Sequence, residues 1–156
     1  MPSNHRKWNI ELKFFNINDI KDDSVVVFIG RRRTGKSFAV RDLLYNNKDI
    51  PFLYACSATE KASPFFGDFI PSSYISTEFS EKQIGDILLR QEKIREKQLS
   101  GDPKFNKIDP RIAILLDDCM YDDSWAKTIP IRNIFMNGRH YKIFFLLTMQ
   151  YCMGIP

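Results

Sequence analysis

Residues 24–45 read SVVVFIGRRRTGKSFAVRDLLY, and this stretch decides the fold. Its first part, residues 24–29, is an apolar and largely β-branched run that predicts a buried parallel strand. Residues 37–45 predict a helix. The turn between them, residues 30–37, matches the phosphate-binding pattern G-x-x-x-x-G-K-[ST] at every fixed position. A strand, a glycine-bearing turn and a helix in this order favour a nucleotide-phosphate site over a chance match on a surface turn.

The residue types in this turn suit the binding of a triphosphate. Its two glycines let the backbone come close to phosphates, and the helix start presents N–H groups and the positive end of its dipole. Lys36 would reach the β- and γ-phosphates of ATP, and the Ser37 hydroxyl would bind Mg²⁺. The three arginines occupy variable positions, where one or two can face phosphate and the others point to solvent or to a neighbouring subunit. The residues assigned to nucleotide binding are Gly30, Arg31, Arg32, Arg33, Thr34, Gly35, Lys36 and Ser37.

The composition is that of one α/β domain and not of a disordered or membrane-spanning chain. The 156 residues are 44% hydrophobic and carry a formal net charge of +4. The longest late apolar run, residues 143–147, is too short to span a bilayer, and the polar amino terminus has no secretory signal. Cys56, Cys119 and Cys152 lack metal-ligand spacing, which indicates buried thiols in a reducing compartment. The basic excess is compatible with a nucleic-acid partner but is not evidence for one.

Strand and helix patterns alternate along the chain, which predicts a parallel sheet with right-handed crossovers. We expect a single domain over residues 1–156, in which residues 1–23 form an amino-terminal extension with a weak strand pattern at 8–15. Ser80 and Gln83 predict a capping box at the start of a charged helix. Residues 60–79 predict mostly ordered loop. Beyond the first strand and helix, the predicted strands are 52–56, 111–118 and 142–148, and the predicted helices are 80–97 and 131–139.

The third predicted strand ends in two adjacent carboxylates, as expected of a Walker B strand. Asp117 would hold Mg²⁺, which prefers one or two carboxylates together with phosphate oxygens and water. Asp118 would orient the attacking water, at a position where additional-strand P-loop ATPases usually carry the longer glutamate. The alternative is a strand end with two solvated acids. The phosphate-binding turn upstream favours the metal and water roles over that alternative.

Three further polar positions are less decisive. Gln150 follows the fourth strand and could sense the γ-phosphate or the catalytic water, although polar residues are common at strand ends. Arg139 precedes that strand, and its position alone favours a solvated basic loop over contact with the γ-phosphate of a neighbouring subunit. His140 fits a structural role. Residues 106–109 match the guanine-reading N-K-x-D pattern, which we interpret as coincidence because they precede the acidic strand and follow no apolar strand.

Four segments together resemble the genome-packaging ATPases of nucleocytoplasmic large DNA viruses, the poxvirus and giant-virus group related to FtsK- and HerA-type DNA pumps. These segments are residues 22–37, 115–119, 137–141 and 148–151, and they occur in the order found in that family. The resemblance implies a RecA-like P-loop NTPase with a parallel central sheet flanked by helices, ATP as fuel and Mg²⁺ as cofactor. It also implies a homo-oligomeric ring, translocation of double-stranded DNA, capsid or portal partners, and a location in the viral factory of the host cytoplasm and in the virion.

The resemblance also bears on single residues and on the extent of the core. It implies that Arg139 is an arginine finger and that Gln150 is the sensor glutamine. This family continues through at least one more core strand and helix, so the sequence predicts a core truncated after its fourth strand, with the edge of the phosphate-loop strand exposed.

The function predicted from the sequence is an Mg²⁺-dependent ATPase that packages viral DNA. Two alternatives stay open, a P-loop small-molecule kinase and a non-catalytic nucleotide-binding assembly module. A kinase would need an arginine-bearing lid, and the sequence shows no separate lid segment after the third strand. The predicted catalytic residues are Lys36, Asp118, Arg139 and Gln150, and the predicted metal ligands are Ser37 and Asp117.

Overall fold

A five-stranded parallel sheet forms the centre of the computed structural model, which describes residue 11, residues 13–119 and residues 125–151. The strand order is β1-β5-β4-β2-β3, and every neighbouring pair is parallel. This arrangement confirms the predicted α/β fold with helices flanking a parallel sheet. The strands are β1 Val25–Ile29, β2 Phe52–Ser57, β3 Ile75–Ser76, β4 Ile112–Asp117 and β5 Ile143–Met149, and the α-helices are α1 Lys36–Asn46, α2 Glu81–Leu99 and α3 Ile129–Asn137.

The inner strands β4 and β5 are buried along their whole length because helices cover both faces of the sheet. Successive side chains of a strand point to opposite faces, so β4 and β5 each contribute to two cores. On one face, Leu115 and its neighbours pack with Val40 and Leu43 of α1. On the other face, Leu116 and its neighbours pack with Ile84 of α2 and other residues of α2 and α3. The near-continuous apolar sequence of β4 and β5 follows from this double burial.

One arginine ties three segments together at the amino-terminal edge of the sheet. The Arg111 guanidinium donates to Asp22 at 3.1 Å, to Asp49 at 2.6 Å and to Asp109 at 2.7–3.1 Å. These aspartates precede β1, β2 and β4, respectively. Hydrogen bonds from Arg111 hold the pKa of Asp49 and of Asp109 below the ordinary carboxyl range. Asp109, the last residue of the N-K-x-D match, is therefore part of an ion cluster at the edge opposite the phosphate-binding turn.

Element boundaries differ from the sequence prediction where local geometry or distant contacts intervene. Residues 60–79, predicted as loop, contain the short strand β3 and two short 3₁₀ helices. The third predicted strand ends one residue early because Asp118 has a left-handed backbone with φ 49°. The helix predicted at 131–139 runs over Ile129–Asn137 and is followed by the 3₁₀ helix Gly138–Tyr141.

The predicted capping box is present only in part. Ser80 accepts a hydrogen bond from the Gln83 N–H at 3.3 Å, as predicted. The Gln83 side chain does not reach back to the helix start, because its Oε1 accepts from the Tyr54 hydroxyl at 2.9 Å. This helix start is therefore fixed to β2 by a tertiary contact.

Other predictions concern the ends of the chain and the sheet edge. The strand predicted at 8–15 lies largely outside the described residues, and residues 13–15 form no strand. Cys152 also lies outside them. Among the described residues no strand pairs with the outer side of β1, where Ile29 is 51% exposed, as expected for an edge strand. None of the helices in the same part of the chain has the length and apolar character needed to cross a bilayer.

Candidate nucleotide-binding site

The parallel topology brings four strand ends together at one edge of the sheet. The carboxyl-terminal ends of β1, β5, β4 and β2 lie side by side in the sheet order, and this is the edge where open α/β sheets bind ligands. A cavity of about 350 Å³ opens there between the phosphate-binding turn, Asp117 and the segment after β2. The edge therefore brings residues from four separate parts of the sequence together.

The turn after β1 has the backbone geometry of a phosphate cradle. Gly35 lies in the left-handed region with φ 88° and is the residue before α1. A glycine has no side chain to cap the helix, so Gly35 offers no side-chain partner to the first N–H groups of α1. A Cβ atom at Gly30 would lie 2.9 Å from Thr34 Oγ1, so the turn is too tight there for a larger residue. The Thr34 hydroxyl donates to the Arg31 carbonyl at 2.8 Å and closes the turn.

Lys36 lies over this turn. Its Nζ donates to the Gly30 carbonyl at 2.8 Å and to the Arg31 carbonyl at 3.1 Å. Lys36 and Ser37 line the cavity together with Arg33, whereas Arg31 and Arg32 lie outside its lining. Of the three arginines assigned to nucleotide binding, the structure thus places Arg33 at the cavity.

Asp117 is held in position by two hydroxyl groups from neighbouring strands. Thr148 Oγ1 donates to Asp117 Oδ1 at 2.6 Å, and Ser57 Oγ donates to Asp117 Oδ2 at 3.0 Å. The pKa of Asp117 is raised above its ordinary value, chiefly by burial and to a smaller extent by the Asp118 charge. The hydrogen bonds from Thr148 and Ser57 and the Lys36 charge lower it, but they do not cancel the effect of burial. Among the described residues each of these oxygens accepts one hydrogen bond, and a carboxylate oxygen can accept two.

A magnesium ion fits this donor set. In the described part of the chain no group of three or more His, Cys, Asp or Glu residues could hold a metal by itself. Mg²⁺ characteristically uses one or two carboxylates, phosphate oxygens and water instead. Asp117 and the hydroxyl of Ser37, which line the same cavity, supply the protein part of such a site.

Asp118 and Gln150 form a direct contact between the ends of β4 and β5. Gln150 Nε2 donates to the two carboxylate oxygens of Asp118 at 3.1 and 3.0 Å. The left-handed backbone of Asp118 turns the chain out of β4, and its N–H donates to Thr148 Oγ1 at 3.2 Å. Two residues that the sequence assigned to separate roles are thus hydrogen-bonded to each other.

Arg139 lies far from this edge. It is exposed in the 3₁₀ helix before β5, at the amino-terminal end of that strand. The seven residues of β5 span about 23 Å, which is longer than an arginine side chain. Arg139 therefore cannot reach the cavity of its own chain. His140, predicted to be structural, is exposed beside it.

Sequence reasoning missed three residues that build the site. Ser57 and Thr148 lie at strand ends, and that position was the available signal for both. Glu60 had no local signal. Its carboxylate accepts hydrogen bonds from the N–H groups of Phe65, Phe66 and Gly67 at 2.7–3.3 Å. These bonds fix the wall of the cavity opposite the phosphate-binding turn.

Sequence comparison finds related viral proteins, although no protein-family model matches the chain. Uncharacterized protein L437 of Acanthamoeba polyphaga mimivirus is 36% identical over 146 residues, covering 93% of this chain and 51% of that protein. Uncharacterized protein 088R of Invertebrate iridescent virus 3 is 33% identical over 133 residues, covering 85% and 48%. Uncharacterized protein 075L of Invertebrate iridescent virus 6 is 32% identical over 142 residues, covering 90% and 52%. The chain thus spans about half the length of these relatives.

Structure comparison finds the same fold in a viral NTPase. The genome packaging NTPase B204 from Sulfolobus turreted icosahedral virus 2, in complex with AMPPCP, superposes with a TM-score of 0.51 at 15% identity, covering 86% of this chain and 68% of that chain. Its complex with ATP-gammaS gives a TM-score of 0.50 at 17% identity, covering 87% and 68%. The chain therefore has the fold of a viral genome packaging NTPase, and its sequence relatives are uncharacterized viral proteins.

Proposed function

We propose that this chain is the nucleotide-binding core of a DNA-packaging ATPase of the nucleocytoplasmic large DNA virus type, which uses Mg-ATP to move double-stranded DNA into a capsid. The observation that carries the proposal is the arrangement at one sheet edge. Lys36 and Ser37 share a cavity with Asp117, and Gln150 holds Asp118 beside it. The fold shared with a packaging NTPase and the viral origin of the relatives support the same function.

Each residue of the edge has a role in ATP hydrolysis under this proposal. Lys36 exchanges its bonds to the turn carbonyls for the β- and γ-phosphates, which its flexible ammonium group can reach. Ser37 and Asp117 would hold Mg²⁺, which would supply positive charge beside the phosphate oxygens. Asp118 accepts a hydrogen bond from the attacking water and orients it. Gln150 keeps the Asp118 carboxylate in place and links its position to the end of β5.

Arg139 acts on a neighbouring subunit in this proposal. Because it is exposed at the edge opposite its own cavity, it can approach a γ-phosphate only from another copy of the chain. A homo-oligomeric ring meets this requirement, since each subunit then offers Arg139 to the next one. Double-stranded DNA, capsid or portal components, and the viral factory and virion as locations belong to the same proposal.

The proposal is tested by measuring phosphate release from Mg-ATP by the full chain, with and without linear double-stranded DNA. We expect turnover that DNA stimulates, and DNA binding that is insensitive to base sequence and weakens steeply with salt, because lysine and arginine contacts to phosphates release counterions. Transfer of phosphate to a small-molecule acceptor, unaffected by DNA, would show a kinase instead. Recovery of bound ATP without hydrolysis would show a non-catalytic module.

A further inference from the structure

Two cysteines form a buried pair directly beside the acidic end of β4. The Sγ atoms of Cys56 and Cys119 are 3.4 Å apart, and both cysteines are free thiols. Their exposed fractions are 0% and 2%. Cys119 Sγ also lies 3.4 Å from the backbone carbonyl oxygens of Cys56 and of Asp117. The proposed hydrolysis of ATP uses neither thiol, so the pair needs a separate explanation.

The two cysteines differ in how firmly their backbone is held. Cys56 lies within β2, where it is paired with Leu116 of β4 on one side and with Ser76 of β3 on the other. Cys119 lies beyond the end of β4, next to the left-handed Asp118. A disulfide requires an S–S separation of about 2.05 Å, so the two sulfurs would have to approach by roughly 1.4 Å. Because Cys119 lies outside the strand pairing that holds Cys56, the side-chain rotation and any backbone adjustment that closes the pair fall on residues 118–119 and not on β2.

We propose that Cys56 and Cys119 are a redox-active pair, oxidised to a disulfide by peroxide, and that closing it stops hydrolysis by drawing Asp118 away from Gln150. This inference rests on the proposed ATPase function. The present contact between Gln150 and Asp118 consists of two hydrogen bonds of 3.0–3.1 Å, and such bonds weaken steeply when their geometry is disturbed. Asp117 is paired with Ser57 of β2 and with Thr148 of β5, and the phosphate-binding turn follows a different strand, so we expect nucleotide binding to survive the oxidation.

The oxidation balances with hydrogen peroxide as the oxidant. One thiol sulfur attacks a peroxide oxygen, the O–O bond breaks, and the leaving hydroxide takes a proton to become water, which leaves a sulfenic acid. The second sulfur then attacks the sulfenic sulfur, the S–O bond breaks, and a second water leaves. Two thiols and one peroxide thus give one disulfide and two waters. The sulfurs are oxidised and the peroxide oxygens are reduced.

The experiment uses the full chain carrying Cys152→Ser, so that no third thiol of this sequence competes. Hydrogen peroxide is added, remaining thiols are blocked, and peptide mapping without reduction detects a Cys56–Cys119 link. We expect the linked peptide to form and Mg-ATP turnover to fall at least about tenfold, with less than about a twofold change in nucleotide affinity. Dithiothreitol should restore turnover. The matched controls Cys56→Ala and Cys119→Ala should keep their turnover in peroxide, and the serine variants replace any alanine variant that does not fold.

The outcomes separate this inference from the proposed function. Peptide mapping detects the Cys56–Cys119 link without any measurement of turnover. If the reduced protein does not hydrolyse ATP, the ATPase proposal is refuted, and the mapping still shows whether the link forms. Absence of the linked peptide overturns the redox pair. A linked protein with unchanged turnover overturns its effect on Asp118, and so does an equal loss of turnover in the single-cysteine controls.

Discussion

Replacing Thr148 with valine tests the network that holds Asp117. Thr148 is completely buried, and its hydroxyl donates to Asp117 Oδ1 at 2.6 Å and accepts from the Asp118 N–H at 3.2 Å. Valine has nearly the same shape but no hydroxyl. A hydrogen bond to a charged group contributes about 1.5–3 kcal/mol. At about 2–4 °C per kcal/mol for a domain of this size, Thr148→Val should lower the melting temperature by roughly 3–12 °C at a pH where Asp117 is ionised.

The pH dependence of this loss identifies its cause. The folded-state pKa of Asp117 is raised, chiefly by burial, so ionisation of Asp117 costs stability as pH rises through that pKa. Thr148→Val removes a bond that lowers the pKa, so the pKa rises further and the cost of ionisation grows. Below the ordinary carboxyl pKa of about 3.9, Asp117 is neutral and the variant loses only a neutral hydrogen bond, about 0.5–1.5 kcal/mol. The destabilisation should therefore increase with pH.

The assay is urea unfolding of the wild type and the variant from about pH 4 to about pH 8, across the carboxyl range. Thr148→Ser is the matched control, because it keeps the hydroxyl and loses only a methyl group. We expect the serine variant to show a loss of stability that is constant with pH. A difference between Thr148→Val and the wild type that does not change with pH would refute the reasoning, since the hydroxyl would then not stabilise an ionised Asp117.

Three further predictions address the site directly. Lys36→Ala should abolish ATP turnover with the fold retained, as measured by phosphate release and circular dichroism, because the hydrogen bonds of the Lys36 ammonium group go to two carbonyls of the turn. Wild-type turnover in the folded variant would exclude the phosphate-loop assignment. Asp118→Asn should bind Mg-ATP and stall hydrolysis, whereas Asp117→Asn should lose Mg²⁺-dependent nucleotide affinity, and titrations showing the reverse would exchange the two roles. Arg139→Ala should lose about 10³–10⁵ in turnover with normal ATP affinity, and mixing it with Lys36→Ala subunits should restore part of the activity; no recovery above the two parents would place Arg139 in a solvated loop.

The phosphate-binding turn and the acidic strand could be predicted because their evidence is local in sequence. An apolar run followed within a few residues by a fixed motif is enough to place Lys36 or Asp117 at a strand end. The contact between Gln150 and Asp118 joins residues 32 positions apart, and it depends on β4 and β5 being neighbours in the sheet. No short sequence pattern specifies which strands are neighbours in the sheet. A prediction of the strand ends alone therefore identifies the residues of the site without their partners.

Short and tertiary features were missed for a related reason. The two residues of β3 are too few to show a period, and only the edge of β2 makes them a strand. The turn fixed by Glu60 uses backbone N–H groups, which every sequence offers. The left-handed conformation of Asp118 is a further example, because aspartate tolerates that region without requiring it. These features arise from contacts in the folded structure and have no characteristic local sequence.

The Arg111 cluster has a consequence for how the sheet can transmit movement. One guanidinium anchors the chain before β1, β2 and β4, so three strands are clamped together at a single end. Movement of these strands relative to one another is therefore more restricted at the Arg111 edge than at the opposite edge. The opposite ends of these strands are those that carry the phosphate-binding turn, Ser57 and Asp117. We therefore expect these strands to be displaced less at the Arg111 edge than at the edge that carries the candidate nucleotide site.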